Sequence, residues 1–172
     1  GRIAYSNIRK IAYFLLSCGM AEVLFFCLSI IFDMEMPLVA IQLLWLNVVT
    51  DGLQDMALSF EKGESEIMKN KPRNPSESLF DKTLIQEVFI ASLTIGLMVF
   101  GLWYYLIDSG MEISIARGYI MALMVFIQNI HVFNCRSEKQ SAFKIPLKSN
   151  KLITIAFISS IILQILVMEI PI

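Results

Sequence analysis

The sequence predicts an all-α fold, a multi-pass transmembrane helical bundle of five spans with a cytoplasmic N-terminus. Its composition is apolar: 56% of the 172 residues are hydrophobic, 17% are charged, and the mean hydropathy is +0.67. Soluble domains have about 45–50% apolar and about 25% charged residues. The apolar residues also form five blocks, each of about the 20 residues that a helix needs to cross the hydrocarbon core. These blocks lie near 11–32, 37–60, 84–107, 114–134 and 152–170.

The basic residues are distributed very unevenly between the connections. Of the 14 lysines and arginines, all except Arg117 precede the first block or fall in the loops 61–83 and 135–151. Cytoplasmic segments of membrane proteins carry the excess of Lys and Arg. The N-terminus and both loops are therefore predicted to be cytoplasmic. The C-terminus is then outside, and we expect a returning sixth span beyond it.

The first two spans carry acidic side chains in the middle of the membrane. Glu22 lies in the first span and Asp51 in the second, and neither span contains a Lys or an Arg. An Asp at the centre of a membrane helix costs about 2.5–3.5 kcal/mol, and ionisable groups there usually mark ion paths or relays. Two carboxylates without a basic partner call for a cation or for protons.

The second span also arranges several oxygen ligands. Asn47, Thr50 and Asp51 are spaced i, i+3 and i+4, so on a regular α-helix they share one face. Calcium binds oxygen ligands of this kind, whereas zinc and copper prefer His or Cys. Gly52 follows directly, and a local break there would free backbone carbonyls as further ligands. Asp55, one turn nearer the cytoplasm, is interpreted as either an access-path residue or an interfacial one.

The remaining elements supply fewer candidates. Asp81 is predicted to cap the helix of the third span. The third and fifth spans are almost pure hydrocarbon and are predicted to face lipid or packing partners. The fourth span contributes Gln128 and His131, about one turn apart. We interpret the lone His131 as a packing or hydrogen-bonding residue, and Gln54 as a structural bridge between helices.

The stretch 42–53, with the sequence QLLWLNVVTDGL, resembles the sixth transmembrane helix of type II P-type cation pumps, which include calcium pumps and sodium/potassium pumps. Residues 1–7, 71–73 and 133–137 extend the resemblance over essentially the whole chain. The resemblance implies that the spans correspond to helices five to nine of a ten-helix pump. Residues 1–172 would then form its C-terminal transmembrane ion-transport domain. The ion ligands implied by the resemblance are Glu22, Asn47, Thr50, Asp51 and Gln128.

The resemblance makes Ca²⁺ the expected cation, while Na⁺, K⁺ and H⁺ stay open because they use the same oxygen chemistry. Gly19 stands where calcium pumps of the sarcoplasmic reticulum have a ligating Asn, and Gln128 stands where they have Glu. The number of ion sites is therefore open. Residues 81–83 begin like the family's phosphorylation motif, but Leu84 follows where the motif has Gly. We expect ATP and Mg²⁺ to act only on the rest of the pump, so this chain alone should not hydrolyse ATP.

The expected partners are the lipid bilayer and the N-terminal helices and cytoplasmic domains of the same pump, with no nucleic acid. The expected location is the plasma membrane. One alternative is a stand-alone cation channel or secondary transporter that uses Glu22 and Asp51 as a relay. Another is a membrane subunit that transports nothing and whose polar residues hold a helical bundle together.

Overall fold

The computed structural model describes residues 1–62, 79–137, 145–146 and 149–169. Several of the basic residues that support the predicted topology lie outside this described part, namely Lys69, Lys71, Arg73, Lys139, Lys144 and Lys148. The 71–73 segment of the resemblance is among them. The cytoplasmic location of these residues therefore stays a prediction.

The described residues form six α-helices and one π-helical segment. In chain order they are α1 Arg2–Ile31, α2 Ala40–Asn47, the π segment Val48–Gly52, α3 Leu53–Ser59, α4 Lys82–Asp108, α5 Ile113–Asn134 and α6 Lys151–Met168. Helices α1, α4, α5 and α6 are each long and apolar enough to cross a membrane. The predicted fold class, an all-α multi-pass membrane bundle, is confirmed.

The predicted second span differs from the other four. It is built from three consecutive helical pieces, α2, the π segment and α3, of 8, 5 and 7 residues. None of these pieces is long enough to cross the membrane alone. The crossing of this segment therefore depends on the three pieces continuing one another through the π segment.

Helix α1 extends well beyond the apolar block that predicts it. It has 30 residues, which corresponds to about 45 Å at about 1.5 Å per residue. The hydrocarbon core is about 30 Å thick. The part of α1 around Arg2 and Arg9 therefore projects past the apolar layer on the side predicted to be cytoplasmic.

The start of α4 is fixed by a side-chain cap. The Asp81 carboxylate accepts a hydrogen bond from the Leu84 backbone N–H at 2.8 Å, so the predicted capping role is confirmed. Arg9 Nη2 lies 2.7 Å from the other carboxylate oxygen of Asp81 and ties α1 to this turn. The Leu84 hydrogen bond, supported by Arg9, lowers the pKa of Asp81 below its ordinary value.

Helices α1 and α4 approach each other closely at Gly96. A Cβ atom placed on Gly96 would lie 2.8 Å from Leu24 Cδ2 and 3.1 Å from the Ala21 carbonyl oxygen. Small residues allow membrane helices to pack with their backbones near each other. Ala21 and its neighbour Phe25 belong to the main core cluster, together with Trp103 of α4. Gly96 is therefore required by packing, which anchors α1 against α4.

At the end predicted to be cytoplasmic, a buried ion pair joins four helices. The Arg136 guanidinium donates to both carboxylate oxygens of Glu61, at 3.0 and 3.2 Å, and both side chains are buried. Asn150, which caps α6, donates to Glu61 Oε2 at 2.9 Å. Asn7 of α1 donates to the Glu61 carbonyl oxygen at 2.9 Å. Glu61 therefore holds the end of α3 against α1, α5 and α6.

Candidate cation site

The predicted ligands of the second span are centred on the π segment. A π-helix closes i→i+5 hydrogen bonds and is wider than an α-helix, and single π turns occur frequently at functional sites. Thr50 is fully buried here, and its hydroxyl donates to the Leu46 carbonyl oxygen at 2.7 Å. Asn47 is exposed and Asp51 is half-buried. The wider turn changes the angles between these residues, so Thr50 faces the interior while Asn47 and Asp51 stay towards an open side.

The expected break at Gly52 takes the form of this π turn and not of an unwound segment. Gly52 closes the π segment with an ordinary helical φ of −59°. A Cβ atom on Gly52 would meet only the Asn47 carbonyl oxygen, at 3.9 Å. Neither crowding nor backbone conformation therefore requires glycine in this state.

Glu22 and Gln128 are in direct contact across the interface between α1 and α5. Gln128 Nε2 donates to Glu22 Oε1 at 3.0 Å. The Gln128 side chain is 1% exposed, and its Oε1 is buried without a hydrogen-bond partner in the described part of the chain. This amide oxygen is available to a ligand next to the Glu22 carboxylate.

Three half-buried carboxylates, those of Glu22, Asp51 and Asp55, lie on α1, the π segment and α3. Within residues 1–62 and the other described ranges, none of the three forms a salt bridge. Like charges repel strongly where the dielectric constant is low. This arrangement is compatible with a bound cation or with protons that offset the repulsion.

The carboxylates do not by themselves form a closed metal centre. Among the described residues, no three His, Cys, Asp or Glu side chains are close enough together to hold a metal ion. A hard cation bound here would need amide, hydroxyl or backbone oxygens and further groups from outside the described residues. Asn47 and Gln128 offer amide oxygens, and Thr50 offers a hydroxyl oxygen. The exposure of Asn47, Gly52 and Val48 leaves room for another element on this side.

His131 has the contacts of a packing and hydrogen-bonding residue. Its Nε2 lies 2.6 Å from Ser17 Oγ and 3.5 Å from Cys135 Sγ. Its ring packs edge-on against Tyr13 and stacks with Phe14, at centroid distances of 5.2 and 6.0 Å. These contacts occupy His131 within the interface between α1 and α5.

Polar contacts of α6 were not anticipated from the sequence. Gln54 Nε2 and Ser160 Oγ both donate to Asn129 Oδ1, the latter at 2.8 Å, so α3, α5 and α6 meet there. The predicted bridging role of Gln54 agrees with this contact. Gln164 accepts from Trp45 Nε1 at 3.1 Å. The available signal was the i, i+4 spacing of Ser160 and Gln164 in an otherwise apolar helix.

Comparison with known proteins identifies the family. The sequence model of the family described as "Cation transporting ATPase, C-terminus" matches residues 35–172. A calcium-transporting ATPase of Bacillus subtilis is 37% identical over 174 residues, which cover 99% of this chain and 19% of that protein. Calcium-transporting ATPase 1 of Bacillus cereus is 32% identical over 186 residues, covering 99% of this chain and 21% of that protein.

A human relative matches the same share of this chain. Calcium-transporting ATPase type 2C member 1 of Homo sapiens is 30% identical over 174 residues, covering 99% of this chain and 19% of that protein. The chain thus spans about a fifth of the length of these relatives. Because the family model covers most of the chain, this protein belongs to the family of cation-transporting ATPase C-terminal regions.

Proposed function

We propose that this chain is the cation-binding and translocating membrane module of an ATP-driven Ca²⁺ pump. The contact that carries the proposal is the hydrogen bond between Gln128 and Glu22, which places a buried amide oxygen, without a partner among the described residues, beside a carboxylate within the apolar span. The names of the three relatives described above, each a calcium-transporting ATPase, support Ca²⁺ as the cation. Na⁺, K⁺ and H⁺ are the alternatives for the same oxygen set.

The proposed ligands come from four elements: α1, α2, the π segment and α5. Calcium takes 6–8 oxygen ligands at about 2.3–2.6 Å, from carboxylates, amides, carbonyls and water. The proposed side-chain ligands in this chain are Glu22, Asn47, Thr50, Asp51 and Gln128. Because Asn47 and Asp51 face an open side, the remaining ligands would come from water and from other helices of the pump. The cation would offset the repulsion between the carboxylates.

Energy for transport would come from the parts of the pump outside this chain, where ATP and Mg²⁺ would act. Helix α1 reaches beyond the apolar layer towards those parts, and it carries Glu22 in its middle. A movement of the N-terminal end of α1, on the side predicted to be cytoplasmic, would therefore be transmitted along the helix to Glu22.

A stand-alone channel or secondary transporter is the less favoured function. Each of the relatives compared is about five times as long as the matched region and is named as an ATPase. A channel would transport ions through this chain without nucleotide, whereas the proposed module would not. The bilayer location follows from the apolar helices, and we assign it to the plasma membrane as part of the proposal, to be tested by membrane fractionation.

The proposal is tested in the full-length pump that contains this segment. Asp51→Asn and Glu22→Gln keep the side-chain volume and remove the charge, so both should abolish Ca²⁺-stimulated ATP hydrolysis. Glu35→Gln is the matched control, since Glu35 is an exposed acidic residue outside the site, and it should behave as wild type. Unchanged Ca²⁺ stimulation in both site variants would overturn the proposal.

A further inference from the structure

Helix α6 presents two buried polar side chains to its neighbours. Of its polar residues, only Ser160 and Gln164 are buried, at 0% and 4% exposure. Their i, i+4 spacing places them on one face, one turn apart. The other polar residues of this apolar helix are at least partly exposed. Ser160 and Gln164 therefore form a short polar stripe inside the bundle.

Gln164, the member of the stripe nearer the C-terminus of α6, binds α2, the piece of the second span that precedes the π segment. Trp45 Nε1 donates to Gln164 Oε1 at 3.1 Å. Trp45 belongs to α2, two residues before Asn47. The position of Asn47 along the bundle axis is therefore tied to α6 through this bond.

Ser160, the other member of the stripe, is linked to α3, the piece that follows the π segment, only through Asn129 of α5. Ser160 Oγ donates to Asn129 Oδ1 at 2.8 Å, and Gln54 Nε2 of α3 donates to the same oxygen. Asn129 is fixed in turn, because its Nδ2 donates to the Val125 carbonyl oxygen at 2.7 Å. Gln54 and Ser160 are both fully buried. The position of α3 is thus tied to α5 and α6.

The π segment lies between these two contacts, and none of its own residues takes part in either. Within the described residues, no side chain of α6 forms a hydrogen bond with Val48–Gly52. We infer that Ser160 and Gln164 are positioning residues, which hold α2 and α3 at a fixed separation so that Asn47 and Asp51 face one cation. This inference rests on the proposed function of the site.

Stability alone does not explain the polar stripe. Gln164 Nε2 and Gln54 Oε1 are buried, and neither has a hydrogen-bond partner in the part of the chain that the structure describes. Buried polar groups left without a partner cost free energy, and replacing both members of a hydrogen-bonded pair by apolar groups can be nearly neutral. Replacing Trp45 and Gln164 together by apolar residues would therefore cost little stability. The stripe instead fixes the register of the broken span.

The test compares variants of the full-length pump for the Ca²⁺ concentration at half-maximal ATP hydrolysis, the maximal rate and the melting temperature. Gln164→Met and Trp45→Phe each remove the hydrogen bond between Trp45 and Gln164. Each should raise the half-maximal Ca²⁺ concentration by about three- to tenfold, the size expected for one hydrogen bond, with the maximal rate nearly unchanged. The double variant should show the same shift as either single variant, because both remove one bond. Each single variant leaves one polar group unpaired and should lower the melting temperature, whereas the double variant should keep a nearly wild-type melting temperature.

Matched variants separate positioning from folding. Ser160→Ala should lower the apparent Ca²⁺ affinity in the same way, whereas Ser159→Ala, one residue away and outside the contact, should not. A lower melting temperature with an unchanged half-maximal Ca²⁺ concentration would overturn the inference. If Gln164→Met does not fold, Trp45→Phe tests the same bond from the other side.

Asp51→Asn in the same preparations separates the inference from the proposed function. Loss of the Ca²⁺ response in Asp51→Asn, together with wild-type affinity in Gln164→Met and Trp45→Phe, would overturn only the inference. A full Ca²⁺ response in Asp51→Asn would overturn the proposed function and the inference with it.

Discussion

Gln128 Nε2 donates a hydrogen bond to Glu22 Oε1 across 3.0 Å and joins the middle of α5 to the middle of α1. The two residues are 106 positions apart in the sequence. The bond orients the Glu22 carboxylate and leaves Gln128 Oε1 buried with no partner in the described ranges. The same amide can therefore fix a proposed ligand through its nitrogen and bind a cation through its oxygen.

Removing the Gln128 amide should weaken cation binding. In Gln128→Leu, one oxygen ligand is lost and Glu22 loses its orienting partner. Loss of a group that orients a metal ligand typically costs about 10–100-fold in metal affinity, and we expect a loss in that range. Equilibrium ⁴⁵Ca²⁺ binding to the full-length pump measures it. Thr94→Val, at an exposed position of α4, is the control and should leave binding unchanged. Equal affinity of Gln128→Leu and wild type would contradict the prediction.

Gly96→Ala should destabilise the bundle, because the added Cβ atom would lie 2.8 Å from Leu24 Cδ2 and 3.1 Å from the Ala21 carbonyl oxygen. Overpacking of this kind costs about 1–3 kcal/mol. Gly101→Ala on the same helix is the matched control, since nothing lies within 4 Å of a Cβ atom there. Thermal unfolding of the detergent-solubilised pump should show a lower melting temperature for Gly96→Ala only. Equal melting temperatures would argue against the close approach of α1 and α4.

The buried pair of Glu61 and Arg136 should be far more sensitive to substitution than the pair of Arg9 and Asp81, in which the Asp81 side chain is 49% exposed. Arg136→Met leaves the Glu61 carboxylate buried without its cation, a change that costs about 3–5 kcal/mol. Asp81→Asn keeps a good capping residue and removes only a partly exposed ion pair, which is worth about 0–1 kcal/mol. The rates of thermal inactivation of the full-length pump carrying Arg136→Met or Asp81→Asn compare the two pairs. Similar rates would show that the Glu61 cluster does not hold the ends of α1, α3, α5 and α6 together.

The first turn of α4 should lose stability in acid. The pKa of Asp81 is lowered, first by the Leu84 N–H hydrogen bond, so this group contributes stability above its unfolded pKa of about 3.9 and loses it as the pH falls through the lower folded value. Hydrogen exchange at the Leu84 amide should therefore accelerate, relative to the intrinsic rate, below about pH 4. Asp81→Asn should remove this pH dependence. An unchanged pH profile in that variant would contradict the role of the carboxylate.

The fold class and the α4 cap were predictable because they depend on local sequence. Apolar block length indicates membrane helices, and Asp81 directly precedes an apolar run, as capping residues do. The π segment was not predictable in the same way. Asn47, Thr50 and Asp51 have the spacing of an ordinary α-helical face, and the extra residue in the π turn changes their directions without changing the sequence pattern.

The candidate site was predictable in its residue types and not in its contacts. Unpaired carboxylates in apolar spans single out Glu22 and Asp51, because charge in the membrane is costly. The partner of Glu22 depends on how α1 packs against α5, which no local pattern encodes. The polar stripe of Ser160 and Gln164 was overlooked for the same reason, since isolated hydroxyl and amide groups in an apolar helix are common as structural bridges.

The measurement that tests the central claim most directly is equilibrium ⁴⁵Ca²⁺ binding to the purified full-length pump in the absence of ATP, with wild type compared with Asp51→Asn. The account predicts saturable binding by wild type, loss of that binding in Asp51→Asn, and unchanged binding in the Glu35→Gln control. Wild-type binding in Asp51→Asn would contradict the assignment of the π segment as the cation site.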